Sequence, residues 1–277
     1  MPIMTSDGVK LYVKISGIGY PTIFIHGGPG AWSYNFEMVA GKHLENFLKI
    51  IYFDQRGCGR SEEPKNFDYS LNRVVKDIEE IRVKLKFDKI NLICHSFGGI
   101  LGLNYILNYE KNINKVVFLN ASLNILESFE NQILEGIKIL NLENSEVYKD
   151  KSIDVIKRWG KISKILLQSE DYYKLQYENK QSFEKAQKIE KRLDKGKNFQ
   201  NYVFKNDEYK QDFTLLSKKI TKDILIIHGL EDNSVGKEHH KKFNFPNKII
   251  IPIKGKHAVY QERTEEVVKH IKKFFIK

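Results

Sequence analysis

The sequence predicts an α/β protein with a mainly parallel central sheet, helices on both faces of that sheet and one helical insertion. The first observation is that short apolar runs alternate with helical patterns of about 10–18 residues, as in parallel sheets covered by helices. The second is that this alternation stops from about Asn124 to about Ser217, where a stretch rich in Lys, Glu and Tyr has helical spacing. We therefore expect a core formed by residues 1–123 and 218–277, with a helical cap over residues 124–217.

Hydrophobic periodicity predicts the elements in turn. Lys10–Ser16 alternates apolar and polar residues, as a half-buried strand does. Ser70–Phe87 carries apolar residues at helical spacing with charged residues opposite, and Ser70 is expected to cap its N-terminus. A second helix is predicted over residues 100–109, and a closing amphipathic helix from about Thr264 to Phe275. Compact apolar runs predict the remaining strands, at residues 22–25, 48–53, 90–93, 115–122, 223–232 and 248–257.

The charge of the chain bears on its partners. The 277 residues include 46 Lys and Arg against 35 Asp and Glu, which is a net charge of +11. The lysines are spread along the whole chain and alternate with Glu and Asn, so we expect no nucleic-acid partner.

Other features of the composition bear on location and cofactors. No apolar run approaches the ~20 residues that cross a membrane, and the first residues lack the pattern of a secretion signal. We therefore expect a cytoplasmic protein without membrane association. The two cysteines, Cys58 and Cys94, match neither a disulfide framework nor a metal-ligand spacing and are expected to be reduced. The sequence leaves the oligomeric state open.

Residues 94–99 (CHSFGG) lie between a predicted buried strand and a predicted helix. A serine needs an exposed position and a base to act as a nucleophile, and a sharp strand-to-helix turn supplies the exposure. Small residues two before and two after the serine let strand and helix approach closely; here Cys94 replaces the first glycine of the usual Gly-x-Ser-x-Gly. The helix N-terminus behind the serine favours an oxyanion. We therefore predict Ser96 as the nucleophile.

The glycine-rich segment at residues 26–30 (HGGPG) follows another predicted strand. Its N–H groups can converge on one point, and its glycines let a substrate approach the backbone. We expect an oxyanion hole formed by the N–H of Phe97 and one N–H from Gly27 or Gly28. His26 and His95 are expected to have packing roles.

An acid and a base follow the serine in the order that this strand-to-helix motif requires. Asp232 and His257 each stand where a loop leaves the C-terminal end of a predicted strand, the edge at which open α/β sheets place their chemistry. We predict His257 as the base and Asp232 as the orienting acid, with Glu231 as its nearest rival and His228 buried on its strand. The implied mechanism forms an acyl-enzyme and requires no metal or cofactor.

These residues resemble the α/β-hydrolase superfamily and, more narrowly, the proline iminopeptidase family. HGGPG at 26–30, FDQRGCGRS at 53–61, HSFGG at 95–99 and the late Asp232 and His257 occur in that family's order across nearly the whole chain. The resemblance implies a helical cap over the active site and release of an N-terminal residue, often proline, from short peptides. It also implies glutamates that bind the free amine, one directly after the aspartate and one near the end of the cap.

This sequence departs from the family at both glutamate positions. Asn233 follows Asp232, and Asn201 or a neighbour occupies the place in the cap. Because carboxylates recognise a free amine best, acidic residues of the cap are the candidates to replace them. These candidates are Glu170, Asp171, Glu178 and Glu208.

Two other classes of function remain open at this point. An esterase, lactonase or amidase acting on a small neutral molecule would have a pocket lined with aromatic residues and without paired carboxylates. The candidate substrate-binding residues are Trp32, Trp159, Tyr172 and Tyr173. A non-catalytic receptor on the same fold would keep the pocket without turnover. For each class, the expected partner is a small molecule or a short peptide.

Overall fold

The chain is built around an eight-stranded sheet, seen in a computed structural model that describes residues 2–190 and 196–276. The strands are β1 (Pro2–Met4), β2 (Lys10–Ser16), β3 (Tyr20–Ile25), β4 (Leu48–Phe53), β5 (Ile90–His95), β6 (Ile113–Leu119), β7 (Asp223–Gly229) and β8 (Lys248–Ile253). Their spatial order is β1-β2-β4-β3-β5-β6-β7-β8. The pairs β1·β2 and β2·β4 are antiparallel, and the other five pairs are parallel. The predicted mainly parallel sheet is thus confirmed.

Helices cover both faces of this sheet. They are α1 (Tyr34–Phe36), α2 (Lys42–Leu44), α3 (Leu71–Lys84), α4 (Gly98–Tyr109), α5 (Ile125–Ile139), α6 (Glu146–Lys149), α7 (Val155–Gln168), α8 (Lys180–Glu190), α9 (Lys197–Lys205), α10 (Val259–Glu262) and α11 (Thr264–Ile276). Within β3, Ile23 and Ile25 pack with residues of α3 and α4, whereas Phe24 packs with residues of α1, α2 and α11. Because both faces are buried, the central strands are apolar runs rather than alternating patterns.

The stretch predicted as a cap consists of helices and short 3-10 turns in its described part, and no strand lies there. Helices α5 and α7 pack closely, since a Cβ at Gly136 would lie 2.5 Å from Ile162 Cγ2. The N–H of Ala258 in the core donates to the carbonyl oxygen of Gln176 at 3.0 Å, which ties this stretch to the loop that carries His257.

Several elements differ from their predicted bounds. The three-residue strand β1 and the helical turns over residues 34–44 were not predicted, because such short runs carry no readable periodicity. The runs predicted as strands to residues 122 and 232 leave the sheet at Leu119 and Gly229, and the polar residues that follow form loops. Within residues 2–190 and 196–276, no helix is long and apolar enough to cross a bilayer.

Candidate active site

Ser96 lies in the tight turn between β5 and α4. Its φ of 55° falls in the left-handed region that residues other than glycine seldom occupy. Its carbonyl oxygen accepts the N–H groups of Gly99 and Ser122, both at 2.9 Å, and these bonds hold the turn. A Cβ at Gly27 would lie 2.7 Å from Ser96 Cβ, so glycine is required for the loop at 26–30 to approach the serine.

The structure explains how Cys94 replaces the first glycine of the motif. Cys94 is fully buried, and its thiol points at α4 beside Gly102. A Cβ at Gly102 would overlap Cys94 Sγ and would lie 3.3 Å from Cys94 Cβ. The thiol therefore occupies the space that a side chain on the helix would need. Strand and helix keep their close approach because the small residue is on α4 instead of β5.

His257 connects Ser96 to Asp232. Its Nε2 lies 3.0 Å from Ser96 Oγ, and its Nδ1 lies 2.9 Å from Asp232 Oδ2. Because an ionised carboxylate only accepts hydrogen bonds, Nδ1–H donates to Asp232, and Nε2 is left to accept the proton of Ser96. The three predicted side chains thus form one hydrogen-bonded chain, in which Asp232 and not Glu231 contacts the imidazole.

Asp232 is buried and accepts four hydrogen bonds. Besides His257, its donors are the N–H groups of Ser234 and Val235, both at 2.9 Å, and Asn120 Nδ2 at 2.8 Å. Burial opposes ionisation of Asp232, but His257 and these donors outweigh it, and the pKa of the carboxyl is lowered. Asn120 was missed from the sequence. Its place directly after β6, at the same edge of the sheet as Asp232 beyond β7, was the available signal.

The loop at 26–30 is held from behind by the segment that contains DQRG. His26 Nε2 accepts the N–H of Gln55 at 2.9 Å, and Gln55 Nε2 donates to the His26 carbonyl oxygen at 2.8 Å. Burial lowers the pKa of His26, which keeps the imidazole neutral and able to accept this bond. The φ of Gly28 is 117°, which only glycine tolerates readily. His26 thus positions the loop predicted to supply an oxyanion donor.

The remaining histidines near the site have packing contacts. The ring of His95 lies 5.1 Å from that of His257 and 5.0 Å from that of Tyr260, between centroids. Burial and the neighbouring His257 lower the pKa of His95 to about 3, so its ring is neutral. His228 is stacked on His240 with 3.5 Å between ring centroids.

Two cavities meet at Ser96. Cavity 1 has a volume of about 360 Å³ and cavity 2 of about 250 Å³, and Gly28, Ser96 and His257 border both. Gly27 borders cavity 1 and Phe97 borders cavity 2, so the positions predicted for the oxyanion hole surround the serine. Of the predicted substrate-binding residues, Trp32 borders cavity 1, Trp159 borders cavity 2 and Tyr172 borders both. Tyr173 borders neither cavity, and its ring contacts Phe183.

A carboxylate of the cap lies in cavity 1 at a position that was not predicted. Glu190, the last residue of α8, accepts a hydrogen bond from Trp32 Nε1 at 3.0 Å and one from Asn35 Nδ2 at 2.9 Å. Burial raises the pKa of Glu190, although the bonds from Asn35 and Trp32 oppose this shift. Asn35 Oδ1 is also buried and has no hydrogen-bond partner among the described residues. Glu190 therefore places a charged acceptor at the edge of this cavity.

The acidic residues considered from the sequence lie elsewhere, and none of them borders either cavity. Glu170 pairs with Lys180, Asp171 with Lys174 and Glu178 with Arg263, while Glu208 accepts the Leu71 N–H and the Tyr202 hydroxyl. Asn201 is exposed on α9, and Asn233 Nδ2 donates to the Lys174 carbonyl oxygen at 3.0 Å. Among the described residues, Glu190 is the only carboxylate that borders either cavity.

Comparison with known proteins agrees with this fold. The profile of the alpha/beta hydrolase fold family matches residues 20–264, and the chain belongs to that family. A proline iminopeptidase of Saccharolobus solfataricus is 30% identical over 158 residues, which are 55% of this chain and 47% of that protein. The chain thus matches about half the length, or less, of the curated relatives.

Two solved structures are similar over nearly their whole length. A proline iminopeptidase-related protein of Thermus thermophilus has a TM-score of 0.79 and 18% identity, with coverage of 100% of this chain and 96% of that one. An esterase of Exiguobacterium antarcticum has a TM-score of 0.73 and 21% identity, with coverage of 100% and 99%. At these identities the likeness establishes the fold. The chain is therefore a hydrolase of the alpha/beta hydrolase superfamily, with relatives that include iminopeptidases and esterases.

Proposed function

We propose that this chain is a serine aminopeptidase that resembles proline iminopeptidases and releases an N-terminal residue from short peptides. The observation that carries the proposal is Glu190, a partly buried carboxylate in the cavity that also contains Ser96 and His257. The name of the Saccharolobus solfataricus relative points the same way.

Glu190 is suited to a free α-amino group because its hydrogen-bond partners in the described part of the chain are neutral. Trp32 and Asn35 each donate one hydrogen bond, and no Lys, Arg or His among the described residues forms an ion pair with it. A carboxylate withdrawn from water without a cation beside it is unfavourable, and a bound ammonium group would reduce that penalty. The ammonium has three donors, and the two carboxylate oxygens of Glu190 offer acceptors for them.

The proposed reaction has two steps. The Ser96 Oγ–H bond breaks as the proton passes to His257 Nε2, and Oγ bonds to the substrate carbonyl carbon. His257 then gives this proton to the leaving nitrogen as the C–N bond breaks, which leaves an acyl ester on Ser96. A water repeats the sequence, its proton passing through His257 to Ser96 Oγ as the ester is cleaved. Asp232 holds the imidazole and stabilises its charged form.

The proposed oxyanion hole consists of the N–H of Phe97 and an N–H of Gly27 or Gly28. Helix α4 begins at Gly98, so its dipole favours negative charge at this place. Loss of one such donor typically raises the barrier by about 3–4 kcal/mol. The loop at 26–30 and its support by His26 are therefore expected to matter almost as much as His257.

The test compares the nitroanilide of unblocked proline with that of N-acetylproline, which has no cation. We expect the unaltered protein to prefer the unblocked compound strongly. Glu190→Gln should lower kcat/KM for the unblocked compound by roughly 100-fold, since loss of the carboxylate leaves the bound ammonium group unpaired, at a cost of about 2–5 kcal/mol. Glu231→Gln is the control, because Glu231 is exposed and adjoins Asp232 without contacting His257. Ser96→Ala should abolish turnover. Equal cleavage of both compounds by the unaltered protein would refute the aminopeptidase proposal.

An esterase, lactonase or amidase acting on a neutral molecule is the second candidate. It is favoured by Asn233, which stands directly after Asp232 and whose amide donates to the Lys174 carbonyl oxygen. Among the described residues, no second carboxylate borders cavity 1 with Glu190. This candidate predicts cleavage of acetate esters that survives Glu190→Gln and is lost in Ser96→Ala.

A further inference from the structure

Cavity 2 is the half of the site that the proposed amine site leaves unassigned. Its wall contains a cluster of aromatic rings from three helices of the insertion, namely Phe129, Trp159 and Phe204. Phe129 and Trp159 are stacked with 4.4 Å between ring centroids. Phe204 meets both edge-on, at 5.4 and 5.3 Å. Rings arranged in this way offer both faces and edges to another aromatic group.

Several polar groups around cavity 2 are already engaged with one another. Gln132 accepts the Trp159 Nε1–H at 2.8 Å and donates to the Ser234 carbonyl oxygen at 3.0 Å. The hydroxyls of Ser122 and Ser128 are 2.8 Å apart. Among the described residues that border this cavity, no Lys, Arg, Asp or Glu occurs. The described wall therefore offers an occupant aromatic surface and no Lys, Arg, Asp or Glu to pair with.

The amine site decides which part of the substrate enters cavity 2. In an aminoacyl substrate the amine and the attacked carbonyl belong to the same residue. With the carbonyl at Ser96 and the amine at Glu190, that residue fills cavity 1. The amine that leaves when the C–N bond breaks then has cavity 2, which Ser96 and His257 also border.

Resting on the proposed function, we infer that cavity 2 is a leaving-group site selective for an uncharged aromatic group. The substrates of choice are then aminoacyl arylamides, esters or amidated peptides with an aromatic second residue. A free dipeptide would bring a carboxylate into a cavity whose described wall holds no Lys or Arg. Burial of such an unpaired charge is disfavoured.

The first experiment measures kcat/KM for Pro-Phe-amide and Pro-Gly-amide, whose leaving amines react similarly. We expect the unaltered protein to prefer the phenylalanine compound. Phe204→Ala should lower this preference roughly 10-fold, because it removes both apolar contact with the leaving group and one aromatic pair. Leu167→Ala is the control, since Leu167 is an exposed apolar residue of α7 in the same insertion. An unchanged preference in folded Phe204→Ala would overturn the aromatic assignment.

The second experiment adds a charge without removing any aromatic ring. Gln200 borders cavity 2 from α9, and Gln200→Lys would place an ammonium group there. The unaltered protein should cleave Pro-Phe-amide better than the free acid Pro-Phe, and the variant should narrow this difference roughly 10-fold, as one new ion pair allows. High salt should reverse part of the change. Equal cleavage of amide and acid by the unaltered protein would overturn the claim of a neutral site.

Phenyl and methyl acetate separate this inference from the proposed function, since neither carries an amine. The aminopeptidase proposal fails and the aromatic leaving-group site stands under two conditions. No unblocked prolyl compound is cleaved, and Phe204→Ala lowers the ratio of kcat/KM for phenyl acetate to that for methyl acetate relative to the unaltered protein. If prolyl compounds are cleaved with no effect of Phe204→Ala or Gln200→Lys on the substrate ratios, the proposed function stands and the inference fails.

Discussion

Replacement of Gly102 by Ala tests whether Cys94 is tolerated beside Ser96 because the facing helix lacks a side chain. The new methyl would overlap Cys94 Sγ and lie 3.3 Å from Cys94 Cβ and 3.7 Å from Ile25 Cδ1. Cys94 and Ile25 are both fully buried, so neither can move away without disturbing the sheet. Overpacking of this kind costs about 1–3 kcal/mol.

Gly160 supplies a matched control for the helix propensity of the new alanine. Gly102 and Gly160 both lie inside helices, α4 and α7, but a Cβ at Gly160 would have no atom within 4 Å. Gly160→Ala should therefore stabilise the protein by roughly 0.5–1 kcal/mol. Gly102→Ala gains the same helix propensity, but the overlap of its methyl group with Cys94 Sγ outweighs that gain. We expect its free energy of unfolding to lie about 1–3 kcal/mol below that of Gly160→Ala.

The double variant Cys94→Gly with Gly102→Ala restores space between β5 and α4. In that background, Gly102→Ala should no longer destabilise, and the coupling between the two positions should be about 1–3 kcal/mol. Urea unfolding gives each free energy, and kcat/KM on an acetate ester reports whether the Ser96 turn is preserved. If Gly102→Ala stabilises as much as Gly160→Ala, or costs the same with glycine at position 94, the explanation for Cys94 is wrong.

Three further outcomes are expected. Asn120→Ala removes a hydrogen bond to the Asp232 carboxylate, worth about 1.5–3 kcal/mol, so kcat/KM should fall roughly 10- to 100-fold; an unchanged value would remove Asn120 from the site. Asp54→Asn breaks a buried pair with Arg60, which is 24% exposed, and should cost about 2–4 kcal/mol in urea at neutral pH. Burial opposes ionisation of Asp54, but Arg60 outweighs burial, and the pKa of the Asp54 carboxyl is lowered. The stability that the ionised Asp54 contributes is therefore present above the unfolded pKa of about 3.9 and is lost in more acidic solution. The difference in free energy of unfolding between the unaltered protein and Asp54→Asn should therefore shrink in acid. A difference that stays constant with pH would contradict the role of the Asp54–Arg60 pair. Burial raises the pKa of Glu190, so kcat/KM for an unblocked prolyl substrate should fall more steeply in acid than that for an acetate ester, and Glu190→Gln should remove the difference.

The sheet and the order of Ser96, Asp232 and His257 could be predicted because each depends on local patterns. A buried strand is readable as an apolar run, and the residue that follows it stands at the edge where such sheets place polar side chains. His257 is 161 residues from Ser96 and 25 from Asp232, yet strand ends that meet at one edge bring the three within hydrogen-bond distance. The topology of the sheet is therefore enough to predict that these three side chains meet, without knowledge of their individual contacts.

Glu190 could not be predicted in the same way, because it is positioned by contacts between distant segments. Its donors Trp32 and Asn35 are 158 and 155 residues away, on the core, while Glu190 ends a helix of the insertion. No strand end or glycine marks it, and in the sequence it is one carboxylate among many on a Lys- and Glu-rich stretch. Its position depends on docking of α8 against the core, through the bonds from Trp32 and Asn35. Because residues of α8 and of the core both border cavity 1, the proposed amine site would exist only where the two meet.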